Sequence, residues 1–410
     1  MHAYERFLKY VTIHTTSDRN AEGTPSADRQ FDLANYLVEE MKVLGIKDAR
    51  VDEKCYVYGS IPATEGLEDK VSLGFLAHLD TSPDYSGEDV KPQMIENYDG
   101  GEVKLKGGVT ISPELFPHLS ELKGKTLITS DGTTLLGADD KAGIAEIMTM
   151  AETILKTGVP HGKICIGFTP DEEIGSGAQD LDLAAFGADF CYTVDGGAEN
   201  EVECENFNAS EAYFEITGRS VHPGYAKGKM INAALLAVRI ASMLPQAETP
   251  ALTSDREGFF HLHNMEGSVE KAKMRIIIRD HSAERFEGRL ETLRHIEKTL
   301  NEEYPAGTVK LIIKDQYRNM IEVLQEHMHL IDNAIEAMKA AGISPITPPV
   351  RGGTDGAALS FRGLPCPNLG TGGYAYHGPY EHITSEGMDA VVQVLLGIVE
   401  RYALTDHKYQ

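Results

Sequence analysis

Residues 162–178 read GKICIGFTPDEEIGSGA. A run rich in Ile, Phe and Thr leads straight into three adjacent acids, Asp171, Glu172 and Glu173, and then into glycines. The run, 162–169, predicts a strand buried on both faces, as inside a parallel sheet. The pattern recurs on either side. Upstream, 71–80 (VSLGFLAHLD) runs into His78 and Asp80, and downstream 189–194 (DFCYTV) runs into Asp195. Between the first two, Ile144, Ile147, Met148, Ala151 and Leu155 recur at helical spacing over 142–156. Strands alternating with helices predict an α/β fold, and in such sheets ligands gather beyond the carboxyl ends of the strands. The polar clusters that end these strands are therefore where chemistry is to be sought.

The texture changes near residue 206. Residues 208–218 (NASEAYFEITG) alternate as a half-exposed strand does. A helix at 229–244, strands at 257–269 and 272–280, a charged helix at 282–303 and a strand at 308–314 follow. Together they predict a small α+β sandwich of roughly one hundred residues, an ordinary size for a domain inserted at a surface loop. A helix at 322–341, a glycine-rich loop at 351–356 and a helix from Ser385 to about Arg401 restore the α/β texture. The expected organisation is a catalytic domain over 1–206 and 319–410, interrupted by a lid over 207–318.

Composition narrows the partners. The 410 residues carry a formal charge of −25, which repels phosphate backbones and anionic lipid and suits divalent cations. Nucleic acid and membrane are excluded as expected partners. With 41% apolar and 25% charged residues the chain is expected to be globular, not disordered. The five cysteines are far apart with no Cys-x-x-Cys pair, which argues against zinc–thiolate and for free thiols in a reducing compartment. Glu5, Arg6 and Lys9 interrupt the stretch where a signal peptide needs apolar residues. The longest apolar run, around 391–399, falls short of the ~20 residues of a membrane span. A cytoplasmic location is expected.

His78 and Asp80, two apart at a strand end, share a face, so Asp80 can take the second N–H of a metal-ligating imidazole. A turn-forming Asp beside a strand-end His is the plainer alternative. Asp139 and Asp140 (GADDKAG) precede a helix that either could cap, or one could bridge two cations. A phosphate loop is disfavoured, since GxxxxGK[ST] is absent and two aspartates repel phosphate. Of Glu172 and Glu173, one could ligate metal while its neighbour works as base. Asp195 (TVDGG) ends its strand similarly, and His377 lies in NLGTGGYAYHG, whose glycines allow close crowding. Imidazole and carboxylate donors without cysteine suit catalytic zinc, manganese or cobalt. The His261/His263 and His327/His329 pairs are assigned nothing.

AHLDTSPD (77–84), TLLGADDKAGIAEIM (134–148), GFTPDEEIGSGA (167–178), YTVDGG (192–197), ENFNAS (205–210), VHPGYAKG (221–228), RGGTDGA (351–357) and PCPNLGTGGYAYHG (365–378) together resemble the peptidase T family. These are tripeptide aminopeptidases of a two-zinc metallopeptidase group that also contains aminoacylases and desuccinylases. The resemblance runs almost end to end. It implies a mixed-sheet zinc-exopeptidase catalytic domain with an inserted lid or dimerisation domain, and two divalent ions per subunit, zinc foremost. His78, Asp139 and Asp195 would hold one ion, and Asp139, Glu173 and His377 the other. Glu172 would be the general base and Asp80 the support of His78. The Asp139–Asp140 peptide would be cis, and His222 of SVHPG would reach the site of a partner subunit in a homodimer. Arg279, ending the strand KMRIIIRD, is the expected clamp for a tripeptide carboxylate, its alternative being an ion pair with Asp280; Arg351 is a second clamp candidate. The competing readings are an N-acyl amino acid deacylase of the same group and a non-catalytic metal- or peptide-binding protein.

Overall fold

The structure is a computed structural model that describes residues 1–405. The chain divides into two compact units, one of Met1–Cys204, Met320–Pro348 and Thr354 onward, the other of Glu205–Asn319 with Pro349–Gly353.

The first unit is built on a seven-stranded mixed sheet. In spatial order the strands are Arg50–Val51, Val57–Ile61, Ile164–Thr169, Leu73–His78, Phe190–Gly196, Asn368–Gly370 and Val202–Glu203. The four from Ile164–Thr169 to Asn368–Gly370 run parallel, and the outer ones are antiparallel. Leu73–His78 and Ile164–Thr169 are buried at every position, and Phe190–Gly196 at every position except Asp195. A strand covered on both faces has little place for charged side chains, which explains why acids and imidazoles gather where each strand ends. Because the central strands are parallel, those ends lie at one edge.

The helix Ala138–Thr157 packs against Leu73–His78 and Phe190–Gly196, and against the helices Ala3–Tyr10 and Ser385–Leu404. Gly143 sets its approach to the sheet: a Cβ there would run into the Val194 carbonyl oxygen. Leu155, expected on the inner face, is 38% exposed, and Ile154 is buried instead. The middle of this helix is covered nearly all round, so a single apolar stripe does not describe it. The expected helix at 322–341 is broken into Ile321–Leu324 and His329–Ala340. The break lets both His327 and His329 lie against Phe190, with ring centroids 5.4 and 4.6 Å away. Residues two apart on a continuous helix could not face one partner.

A smaller antiparallel sheet orders Gly373–Tyr374, His382–Thr384, Leu127–Thr129 and Gln93–Ile95. The second unit is an antiparallel sheet of Phe259–Gly267, Lys271–Asp280, Asn208–Thr217 and Val309–Tyr317. Phe214, Met274, Ile276 and Ile278 from its strands form one core with Leu236 and Ile240 of Ala233–Met243 and with Phe286, Leu290 and Leu293 of Ala283–Glu303. All five cysteines are free and buried, and no helix among the described residues is long and apolar enough to cross a membrane.

Candidate metal centre

His78, Glu172, Glu173 and Asp195 leave the same edge of the main sheet, and Asp139 and His377 join them from segments that follow strands of the smaller sheet. His78 ends its strand, Asp195 sits near the end of the next, and Glu172 and Glu173 form a short 3-10 turn just after Ile164–Thr169. Asp139 opens the helix Ala138–Thr157, where it and Asp140 depart from helical angles and are joined by a cis peptide. His377 follows Asn368–Gly370 on a loop where both Ala375 (φ +57°) and His377 (φ +62°) are left-handed.

Asp139 is the hub. Its Oδ1 lies 2.8 Å from His78 Nε2 and its Oδ2 3.1 Å from His377 Nε2. His78 Nε2 is also 3.5 Å from Asp195 Oδ1, and His377 Nε2 3.1 Å from Glu173 Oε2. Asp80 stands behind. Its Oδ1 is 3.3 Å from His78 Nδ1, an ion-pair distance without good hydrogen-bond alignment, and its two oxygens accept the amides of Glu172 (3.0 Å) and Glu173 (3.2 Å). One carboxylate thus ties the His78 strand end to the turn that carries Glu172. His377 is the exposed member, with 43% of its side chain accessible, so the centre is open to solvent on that side.

The electrostatics fit a cation site. Burial pushes the Glu172 carboxyl well above its usual range and the Asp195 charge adds to it. Burial also lifts Glu173, and lifts Asp195 to about 7. Burial alone would lower His78, but Asp195 and Asp139 outweigh it and hold the imidazole well above its usual value. His377, hydrogen-bonded to Asp139 and Glu173, is pushed up to about 11. Asp139 runs the other way, burial being overcome by its bonds to His377 and His78. The centre draws positive charge to itself. Glu173 Oε1 and Asp140 Oδ1 are buried with no hydrogen-bond partner, as donors reserved for an ion would be. Two sets have ligand atoms all within 4.8 Å of one another: His78, Asp139 and Glu173, and His78, Asp140 and Asp195.

Two residues, Asp355 and Glu381, escaped the sequence reading, and Asp140, expected as a helix cap or a cation bridge, acts instead on backbone. Asp140 is fully buried and accepts the His78 amide at 3.0 Å. Asp355 accepts Thr169 Oγ1 and the Ala178 amide, each at 2.8 Å, and so closes the loop that carries Glu172. Glu381 accepts three amides around Asp139. The only signal in the sequence is proximity to the motifs: Asp355 within RGGTDGA and Glu381 four residues after His377.

The remaining expected site residues lie in the second unit. His222 is exposed and caps a short turn, its Nδ1 accepting the Gly224 amide at 3.2 Å. Arg279 lies 5.3 Å over the Tyr317 ring and donates to the Ser210 and Ile278 carbonyls and to Gln316. Asp280 is held instead by Arg289, at 2.9 Å, so the Arg279–Asp280 pair does not form. Arg351 donates to the Asp255, Glu257 and Thr253 carbonyls and covers the Phe207 and Phe259 rings.

Comparison with known proteins comes to the same place. Residues 131–401 match the model of Peptidase family M20/M25/M40. The chain is 50% identical over 401 residues to Peptidase T of Clostridium perfringens (98% of each chain), and 51% identical over 404 residues to Peptidase T of Desulfitobacterium hafniense (97% and 98%). Among solved structures it resembles aminopeptidase PepT from Bacillus cereus, with TM-score 0.79, 22% identity and 98% of each chain covered. It also resembles the YXEP protein of Bacillus subtilis, described as a dinuclear metal binding peptidase of the M20 family, with TM-score 0.67, 14% identity and 97% of each chain covered.

Proposed function

The chain belongs to peptidase family M20/M25/M40, and from that premise we propose that it is a metal-dependent aminopeptidase that removes the N-terminal residue of tripeptides. The observation that carries this reading is the single Asp139 carboxylate within 2.8 and 3.1 Å of two imidazoles, one at a strand end and one on a loop. Its relatives of half-identical sequence are named Peptidase T, and a structural neighbour from Staphylococcus aureus is titled a tripeptidase. We assign His78, Asp139 and Asp195 to one divalent cation and Asp139, Glu173 and His377 to a second. Zinc is the proposed metal, because imidazole and carboxylate donors without thiolate suit a catalytic zinc site. A cytoplasmic location is proposed on the five free, buried thiols.

When bound, two such cations lower the pKa of water toward ~7 and polarise a carbonyl oxygen. Glu172 takes a proton from water as the water oxygen bonds to the carbonyl carbon of the first peptide bond. It returns that proton to the nitrogen as the C–N bond breaks, leaving an amino acid and a dipeptide. Asp80 keeps the Glu172 turn and the His78 ring in one frame. The acidic site favours the substrate's free α-ammonium. We assign the tripeptide carboxylate to Arg279, with Arg351 second.

A panel of di-, tri- and tetrapeptides, free and N-acetylated, tests the reading before and after chelation, with zinc, cobalt and manganese added back. Tripeptides with a free N-terminus should be cleaved, chelation should abolish cleavage, and a metal should restore it. Preferential turnover of the N-acetyl forms would instead indicate a deacylase.

His222 is proposed to act in the site of a partner subunit, donating to the oxyanion of the reacting carbonyl. His222→Ala should then lower kcat by about 10²–10³-fold, the usual cost of one such donor. Mixing it with inactive Glu172→Ala subunits should regenerate activity, since a mixed dimer contains one site with both groups intact. If subunit exchange is demonstrated and no activity returns, His222 does not act across an interface.

A further inference from the structure

Glu381 has no part in the chemistry above, yet it is 1% exposed and its carboxylate touches the loop of the bridging aspartate. Its Oε2 accepts the amides of Leu136 and Gly137, each at 2.7 Å, and its Oε1 accepts the amide of Asp139 at 3.0 Å. Gly137, at φ +83°, is the left-handed turn that aims these amides. A neutral acceptor could satisfy buried amides. A carboxylate beside a centre already rich in acids is electrostatically costly, and what it gains there is three charge-assisted bonds on one short loop.

Its place in the chain gives those bonds a use. Glu381 lies four residues after His377, and the strand that follows it, His382–Thr384, is paired with Leu127–Thr129. One strap therefore carries an imidazole of the centre and also grips the backbone of the aspartate that this imidazole must meet. The two oxygens of Asp139 have to reach His78 and His377 together, so a small turn of the 136–139 backbone disturbs both contacts. We propose that Glu381 is a positioning residue, which fixes the Asp139 carboxylate relative to His377 so that both cations are held. This rests on the two-cation reading of the site.

The test uses Glu381→Gln in the full chain, which keeps the volume but turns one oxygen into a donor facing amide donors. Metal content is measured by dialysis against buffered free zinc and elemental analysis, beside kcat and KM for a tripeptide. Metal affinity should weaken by about 10–100-fold, the usual cost of removing a group that orients a ligand. At saturating zinc KM should be unchanged and part of kcat should return, while melting of the chelated protein stays close to wild type. An unchanged zinc midpoint in the variant, with wild type holding two ions, overturns the proposal. So does a lowered melting point of the chelated variant with the midpoint unmoved, since that is what a merely structural glutamate gives. Wild type that takes up no zinc overturns the cation reading itself. Should Glu381→Gln fail to fold, amide exchange in chelated wild type decides: the amides of residues 136, 137 and 139 should be protected, and fast exchange there overturns the proposal.

Discussion

Glu172→Ala should lower kcat by about 10²–10⁴-fold, the range general acid–base catalysis supplies, with fold, metal content and KM close to wild type. The expectation follows from how the turn is held. Asp80 grips Glu172 and Glu173 through their amides, not their side chains, so truncating Glu172 leaves the backbone and the neighbouring Glu173 carboxylate in place. The carboxyl is pushed up by desolvation and by Asp195, which is the direction that makes it a stronger base. A loss in kcat with KM constant would mark an interaction made in the transition state. A drop of less than about tenfold would remove Glu172 from that role, because proton transfer by a positioned group is worth more than that. Loss of metal in this variant would instead make Glu172 a ligand and reassign the base.

Much of this centre is legible in the sequence for one physical reason. A parallel strand covered on both faces is largely apolar along its length, so the first acid or imidazole after it begins marks the functional edge, as His78, Asp195 and the acids after Thr169 all do. What the sequence conceals acts through backbone amides. Glu381 and Asp355 accept N–H groups that every residue has, and no side-chain pattern betrays such a bond. Adjacency also misleads. Arg279 and Asp280 are neighbours on a strand and therefore point to opposite faces, so Asp280 turns inward to Arg289 of the following helix while Arg279 lies over Tyr317. Leu155 shows the limit of periodicity on a helix whose middle has no solvent side.

Asp139→Ala should have the larger effect and a different signature: metal is lost, and activity with it. Among the described residues no other carboxylate pairs with both imidazoles. His78 comes from a strand end and His377 from a separate loop, and Asp139 spans them at 2.8 and 3.1 Å. Without it Asp195 remains beside His78 and Glu173 beside His377, two incomplete sets with nothing in common. Elemental analysis after dialysis should therefore find fewer than two ions per chain. Activity should fall roughly 10³-fold or more, since several kcal/mol of transition-state stabilisation goes with the ions and ~1.36 kcal/mol is a factor of ten. Asp139→Asn separates charge from shape. It keeps the volume and the backbone amide that Glu381 holds, but a neutral amide cannot offer an anionic oxygen to each side. If Asp139→Asn loses metal as Asp139→Ala does, the bridging charge is what matters. Normal metal content in Asp139→Ala would refute the bridge and shift it to Asp140, whose Oδ1 is buried and unpartnered beside His78 and Asp195.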